Sequence, residues 1–189
     1  DLDIVQSSNS VLSVDCDGVP KPKLTWYFND QEIKSNQKTR IDTKGTISTL
    51  TINKADFPDI GTYKVVADNG KERVDTQANV DVCVKPKLDS KPVDVTCLIN
   101  ETAKLSAKFS AVPAPTVTWH KSDGTPVVPD DRIQIITDET GLSTLTIKNS
   151  TTGDSGPYLA KATNKVGAVE AKINLAVKGN NYVYNDTRF

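Results

Sequence analysis

The chain has 189 residues, with 23 Lys and Arg against 24 Asp and Glu. So even a balance gives no electrostatic reason to expect nucleic acid or a membrane surface as partner, and no apolar run approaches the roughly 20 residues that a membrane-spanning helix needs. The length suits two small domains of about 100 residues each, and the short alternating runs of Thr, Val and Ile, punctuated by Gly and Pro, predict an all-β chain.

In chain order, Val11 to Cys16 alternates as a strand does. A Pro20-Lys21-Pro22 turn follows, then a run ending in Trp26. Leu50 and Ile52 point one way, with Thr49 and Thr51 the other. Tyr63, Val65 and Ala67 share a face, and Val74, Val80 and Val82 mark a last strand. Val82-Cys83-Val84-Lys85-Pro86-Lys87-Leu88 then leads on without a Gly or Ser, a composition that predicts a stiff junction. Beyond it the same signals recur: alternation from Leu105 to Phe109, Pro113-Ala114-Pro115, a run ending in Trp119, then Leu145 and Ile147. Tyr158, Ala160 and Ala162 share a face, and Val169, Ile173, Leu175 and Val177 form the closing strand.

The recurrence is an internal repeat. Ser48-Thr49-Leu50-Thr51-Ile52 returns unchanged as Ser143-Thr144-Leu145-Thr146-Ile147. Tyr63 to Tyr158 is 158 − 63 = 95 residues, and Trp26 to Trp119 is 119 − 26 = 93, so two residues are inserted between Trp119 and Leu145. A unit this long exceeds a solenoid repeat of roughly 20 to 50 residues and can fold by itself. The expected division is domain 1 over 1–83, domain 2 over 84–178 and a tail or linker over 179–189. By the 93-residue step Asp1 matches Asp94. Lys85 to Val93 then has no counterpart in the first copy, and domain 1 is expected to lack its opening strand.

The pattern Gly18, Pro20, Pro22, Leu24, Trp26, Leu50, Ile52, Asp59, Gly61, Tyr63, Ala67, Asn69 resembles the intermediate set of the immunoglobulin superfamily. The second copy matches through Pro113, Pro115, Val117, Trp119, Leu145, Ile147, Asp154, Gly156, Tyr158, Ala162, Asn164, Gly167 and Glu170. The resemblance implies two tandem β-sandwiches, a Trp buried between the sheets, and a Tyr whose hydroxyl bonds the backbone near Asp59 or Asp154. A Gly beside each Tyr allows the tight turn. Pro157 departs from the pattern; it removes a donor and is expected not to pair. The structural core is expected at Val14, Trp26, Leu50, Tyr63 and Val65, and at Ala107, Trp119, Leu145, Tyr158 and Ala160.

In secreted members of that family a disulfide joins the sheets beside the Trp. Here the corresponding pairs are Val14 with Val65 and Ala107 with Ala160, so neither domain can form that bridge. Cys16, Cys83 and Cys97 are an odd set at unrelated positions, expected to stay as unbridged thiols. Cys16, two residues past Val14, should point inward as apolar filler; a redox-sensing or cross-linking thiol is the functional alternative. Discarding a crosslink twice points to a reducing compartment. The sequons at Asn100, Asn149 and Asn185 compare with about two that chance supplies in a chain so rich in Asn, Ser and Thr, and need a secretory route to matter.

No catalytic constellation appears. His120, the single histidine, follows Trp119 and should sit exposed on the opposite side of its strand, without a nucleophile. Asp130-Asp131 and Asp138-Glu139 read as solvated loop charges, with a calcium site as the alternative. Lys85, Lys87 and Lys91 read as a solvated linker face. No metal or other cofactor is expected, and the chain reads as no enzyme. Tandem domains of this set without disulfides resemble those of the giant intracellular muscle proteins such as titin, twitchin and obscurin. That resemblance implies a cytoplasmic, sarcomeric or cytoskeletal module that bears load and binds filament proteins or other such modules, with weak self-association through an exposed edge of domain 1. The alternatives are an extracellular adhesion fragment and a segment that flanks and regulates a protein kinase. The tail, with Tyr182, Tyr184 and Phe189, is expected to be a terminus or a lead into a further domain.

Overall fold

The computed structural model describes residues 1–179. Its contacts divide the chain after Val84. The first unit contains β1 (Leu2–Val5), β2 (Ser10–Asp15), β3 (Lys23–Phe28), β4 (Gln31–Glu32), β5 (Thr39–Lys44), β6 (Ile47–Ile52) and β7 (Gly61–Asp68). Strand β8 (Arg73–Leu88) closes this unit and carries the chain into the second. One sheet runs β2-β6-β5; the other runs β4-β3-β7-β8, with β1 beside β8.

The second unit contains β9 (Val95–Leu98), β10 (Ala103–Val112), β11 (Thr116–Lys121), β12 (Ile133–Thr137), β13 (Leu142–Ile147), β14 (Gly156–Asn164) and β15 (Gly167–Lys178). One sheet runs β11-β14-β15-β9. In the other, β12-β13-β10 continues to β8, and just past β8 the Asp89 N–H donates to the Lys108 carbonyl at 2.9 Å. Each unit is thus a two-sheet sandwich with its own core. Among the described residues no helix is long and apolar enough to cross a membrane.

Alternation explains the cores. In β6 and β13 every second residue is buried, so Ser48, Leu50 and Ile52, like Ser143, Leu145 and Ile147, face inward. Trp26 and Trp119 fill the space between the sheets. Each indole Nε1–H donates at 3.0 Å to a buried serine hydroxyl, Trp26 to Ser48 and Trp119 to Ser143. Those serines in turn accept from Thr43 at 3.1 Å and Thr137 at 2.9 Å. A buried indole left without an acceptor would cost about 1–3 kcal/mol, which is why a polar residue sits in the repeated Ser-Thr-Leu-Thr-Ile segment.

Both tyrosine corners are present: Tyr63 Oη donates to the Asp59 carbonyl at 3.1 Å, and Tyr158 Oη to the Asp154 carbonyl at 2.9 Å. Burial, with the Asp59 charge nearby, pushes the Tyr63 phenol up to about 12; burial raises Tyr158 in the same way. Gly61 is required by close approach, since a Cβ there would lie 2.5 Å from Asn29 Oδ1 and 2.7 Å from Phe28 Cε2. The 3-10 turns Phe57–Asp59 and Thr152–Asp154 precede the corners. Their aspartates hold Lys38 at 2.6 Å and Arg132 at 2.7 Å. Burial pushes the Asp154 carboxyl up, but the Thr151 backbone and hydroxyl and the Arg132 guanidinium outweigh it and hold it below the usual carboxylate range.

Several expectations need correction. The strand expected to be missing from domain 1 is the counterpart of Lys85–Val93 alone, since β1 does lie parallel to β8, as β9 does to β15. What these residues do not supply is a counterpart of the last residues of β8, which flank β10. Val14 is only half-buried, because β2 is an outer strand of its sheet, whereas its counterpart Ala107 on the flanked β10 is buried. Val74 lies in the last strand as expected, beside the turn of the β7–β8 hairpin, and is 52% exposed. Pro157 does pair, opposite Asn174. The Asn174 N–H donates to Asp94 on the far side of β15, so this pair exchanges no backbone hydrogen bond and the missing donor of Pro157 costs that ladder nothing.

Candidate functional site

The feature repeated most closely between the units is the pairing of first and last strands. In domain 1, β1 lies parallel to β8 with Leu2 opposite Val80, Asp3 opposite Asp81, Ile4 opposite Val82 and Val5 opposite Cys83. In domain 2, β9 lies parallel to β15 with Val95 opposite Leu175, Thr96 opposite Ala176, Cys97 opposite Val177 and Leu98 opposite Lys178. Each clamp is extended at its end by a further backbone bond: the Gln6 N–H donates to the Cys83 carbonyl at 2.8 Å, the Ile99 N–H to the Lys178 carbonyl at 3.0 Å. Ile4, Val80 and Val82 are buried beneath the first clamp, and Cys97, Leu175 and Val177 beneath the second.

Side chains add a matched fastening. Asn79 Nδ2 donates to Asp1 Oδ1 at 3.1 Å. At the equivalent place in domain 2, Asp94 accepts the Asn174 backbone N–H at 2.8 Å and the Asn174 Nδ2 at 3.1 Å. Those bonds hold the Asp94 carboxyl below the usual carboxylate range. Sequence reasoning missed both pairs. The signal was available, since Asp1 and Asp94 are 93 residues apart and Asn79 and Asn174 are 95 apart, the two offsets of the repeat.

The geometry fixes how tension acts. The chain enters each clamp at the N-terminal end of β1 or β9 and leaves at the C-terminal end of its partner. Because the strands are parallel, pulling slides them past one another and loads all four pairs together. An antiparallel pair pulled from one end would instead open a bond at a time. Resistance is then governed by the unfolding rate.

The other positions singled out by sequence fall as follows. Trp26, Leu50, Tyr63 and Val65 lie buried in the domain 1 core, and Ala107, Trp119, Leu145, Tyr158 and Ala160 in that of domain 2. Val14 packs against the first core from its edge and, with Cys16, Leu24, Val65, Ala67 and Val74, lines a shallow cleft there. Cys16 is half-buried, since it lies one residue beyond β2, while Cys83 and Cys97 are buried and none of the three forms a disulfide. Cys97 Sγ lies 3.3 Å from the buried Ser150 hydroxyl.

His120 is half-buried rather than exposed. Its Nδ1 lies 3.3 Å from the Gly124 carbonyl and its Nε2 3.0 Å from the Thr118 hydroxyl, so it fastens β11 to the following turn. Asp130 and Asp138 are turn acceptors: Asp130 takes the N–H groups of Arg132 and Ile133, and Asp138 those of Thr140 and Leu142 together with the Thr140 hydroxyl. Among the described residues no three His, Cys, Asp or Glu side chains are grouped to hold a metal ion. Asn100 and Asn149 are exposed. Tyr182, Tyr184, Asn185 and Phe189 lie outside the described residues.

Comparison with known proteins agrees with the architecture. The family model for the immunoglobulin I-set domain matches residues 1–82 and again 86–177. The chain is 30% identical over 188 residues to the muscle M-line assembly protein unc-89 of Caenorhabditis elegans, covering 93% of this chain and 2% of that protein. It is also 30% identical over 177 residues to hemicentin-1 of Mus musculus, covering 94% of this chain and 3% of that protein. It thus spans a few per cent of the length of these relatives. Among solved structures, the I-band fragment I67–I69 from titin superposes with a TM-score of 0.79 at 23% identity, over 94% of this chain and 62% of that one, a likeness of fold. The chain is related both to sarcomeric muscle proteins and to extracellular adhesion proteins, and it belongs to the immunoglobulin I-set family as two domains in tandem.

Proposed function

We propose that the chain is a load-bearing, protein-binding segment of a sarcomeric or cytoskeletal giant protein. The observation that carries the intracellular part of this reading is the aliphatic filling of both inter-sheet bridge positions, Val14 with Val65 and Ala107 with Ala160. A disulfide there would add about 2–4 kcal/mol to a small domain, a gain that holds only where thiols are oxidised. The load-bearing part is supported by the two matched parallel clamps and by a junction, Val84-Lys85-Pro86, with no Gly or Ser to supply slack.

The partners of this reading are other proteins, engaged at sheet edges. In domain 1, β2 and β5 are the outer strands of a three-stranded sheet, and an outer strand offers backbone groups for strand addition by a partner or, weakly, by a second copy. An extracellular adhesion role is the competing reading, favoured by the equal identity to hemicentin-1. Antibody localisation of the native protein, with mass spectrometry of Asn100, Asn149 and Asn185, separates the two. The proposal expects cytoskeletal staining and unmodified asparagines; glycans on these residues in protein outside the cell would refute the assigned compartment.

A further inference from the structure

We propose that Asn69 is a built-in site of succinimide formation, at which the native fold itself drives deamidation of the hairpin between β7 and β8. Asn69-Gly70 is the single Asn-Gly pair in the sequence, and three contacts around it assemble the parts of an acyl-transfer site. The Gly70 N–H, the nucleophile, donates to Asp68 Oδ1 at 2.8 Å, so a carboxylate already holds the proton that must leave. The electrophile is the Asn69 side-chain amide, whose Oδ1 accepts two backbone N–H groups, from Lys71 at 3.0 Å and Glu72 at 2.8 Å. Both donors thus already reach the atom on which negative charge develops when nitrogen adds to Cγ, the arrangement that stabilises a tetrahedral intermediate. Gly70 is exposed with φ +80°, and nothing lies within 4 Å of where its Cβ would stand, so no side chain on residue 70 crowds the closing ring.

The reaction needs no outside oxidant or reductant. Gly70 nitrogen attacks Asn69 Cγ and forms the new C–N bond as its proton passes to Asp68. The intermediate collapses with cleavage of the Cγ–Nδ2 bond, the proton goes to the departing nitrogen, and ammonia leaves. Water then opens one of the two C–N bonds of the ring, giving aspartate or isoaspartate. The net change is asparagine and water to acid and ammonia, and either product adds one negative charge to the hairpin. The aspartate product still accepts from Lys71 and Glu72. The isoaspartate product routes the main chain through the side-chain carbon, next to the last ladder pair, Asp68 with Arg73.

Domain 2 supplies an internal control. The matching Asn164 is followed by Lys165, and its amide nitrogen donates to the carbonyls of Val112 at 3.4 Å and Pro113 at 3.1 Å, which ties down the group that would have to leave. Asp17-Gly18 and Asp123-Gly124 can close the same ring, but they release water rather than ammonia and return to the same mass.

The test is a time course of the purified full chain at neutral pH and body temperature, read by peptide mapping with mass spectrometry. Three samples are compared: the native chain, the same chain unfolded in urea, and native Asp68→Asn. The proposal expects the peptide containing Asn69-Gly70 to gain the mass of an NH2-to-OH exchange, with aspartate and isoaspartate forms resolved, while the Asn164 peptide stays intact. Conversion is faster in the native chain than in urea, and Asp68→Asn slows it by about tenfold or more, as loss of a positioned base does. A native chain that converts no faster than the unfolded one, or an Asp68→Asn chain that converts at the parent rate, overturns the proposal.

Discussion

Trp119→Ala is expected to remove about 3–5 kcal/mol from domain 2, the range for deleting a large aromatic from a packed core. Trp119 is 1% exposed and lies in a core with Leu105, Leu145, Ala160 and Ile173. The substitution leaves a cavity between the sheets that the paired strands cannot close. It also deprives the Ser143 hydroxyl of the indole donor, although Thr137 still reaches it. Small domains hold roughly 5–15 kcal/mol in all, so the loss takes a large part of the margin. Because the two cores share no residue, denaturant unfolding followed by Trp26 fluorescence should show domain 1 melting near its parent midpoint. Parent-like stability of domain 2 in this variant would mean that Trp119 does not span the sheets.

Restoring the crosslink should have an effect of similar size and opposite sign. Ala107 and Ala160 are 3% and 0% exposed and belong to the same core. The double variant Ala107→Cys with Ala160→Cys closes a loop of 160 − 107 = 53 residues, for which chain entropy gives about 4 kcal/mol. The expected result is a pair of thiols that become unreactive on oxidation, with a raised melting temperature that returns to the parent value under reductant. A folded double variant whose thiols stay reactive after oxidation would show that the two alanines do not occupy a former bridge. The Val14 and Val65 pair should yield less, since Val14 sits half-buried on an outer strand.

Residues such as Leu50, Ile52, Tyr158 and Ile173 were legible in the sequence because the period of two assigns each to a face without knowledge of its neighbours. The same rule gives Val14 its face but not its depth, since nothing beyond the outer strand completes the burial. Pro157 was misjudged for a related reason: whether a missing donor matters depends on which side of the ladder it faces, and that is set by the partner strand. Ser48 and Ser143 read as ordinary strand residues until Trp26 and Trp119 are placed against them. The clamp was the least legible part, because Asp94 and Asn174 are 80 residues apart and their meeting depends on the parallel register. The four-residue strands β1 and β9, next to partners so distant in sequence, left little local pattern.

The clamp also decides the mechanical expectation. Both domains present four parallel pairs with one further backbone bond, so both clamps should resist a pull along the chain. Pulling a single chain by its ends measures this most directly, with the parent compared with a variant carrying Asp94→Ala and Ile99→Pro, which removes the Asn174 acceptor and the N–H bonded to Lys178. If the clamps bear the load, the parent gives two separate unfolding events, and the variant lowers the force of one while the other stays unchanged. Two events of unaltered force in the variant, or a parent chain that extends without a force peak, would contradict it.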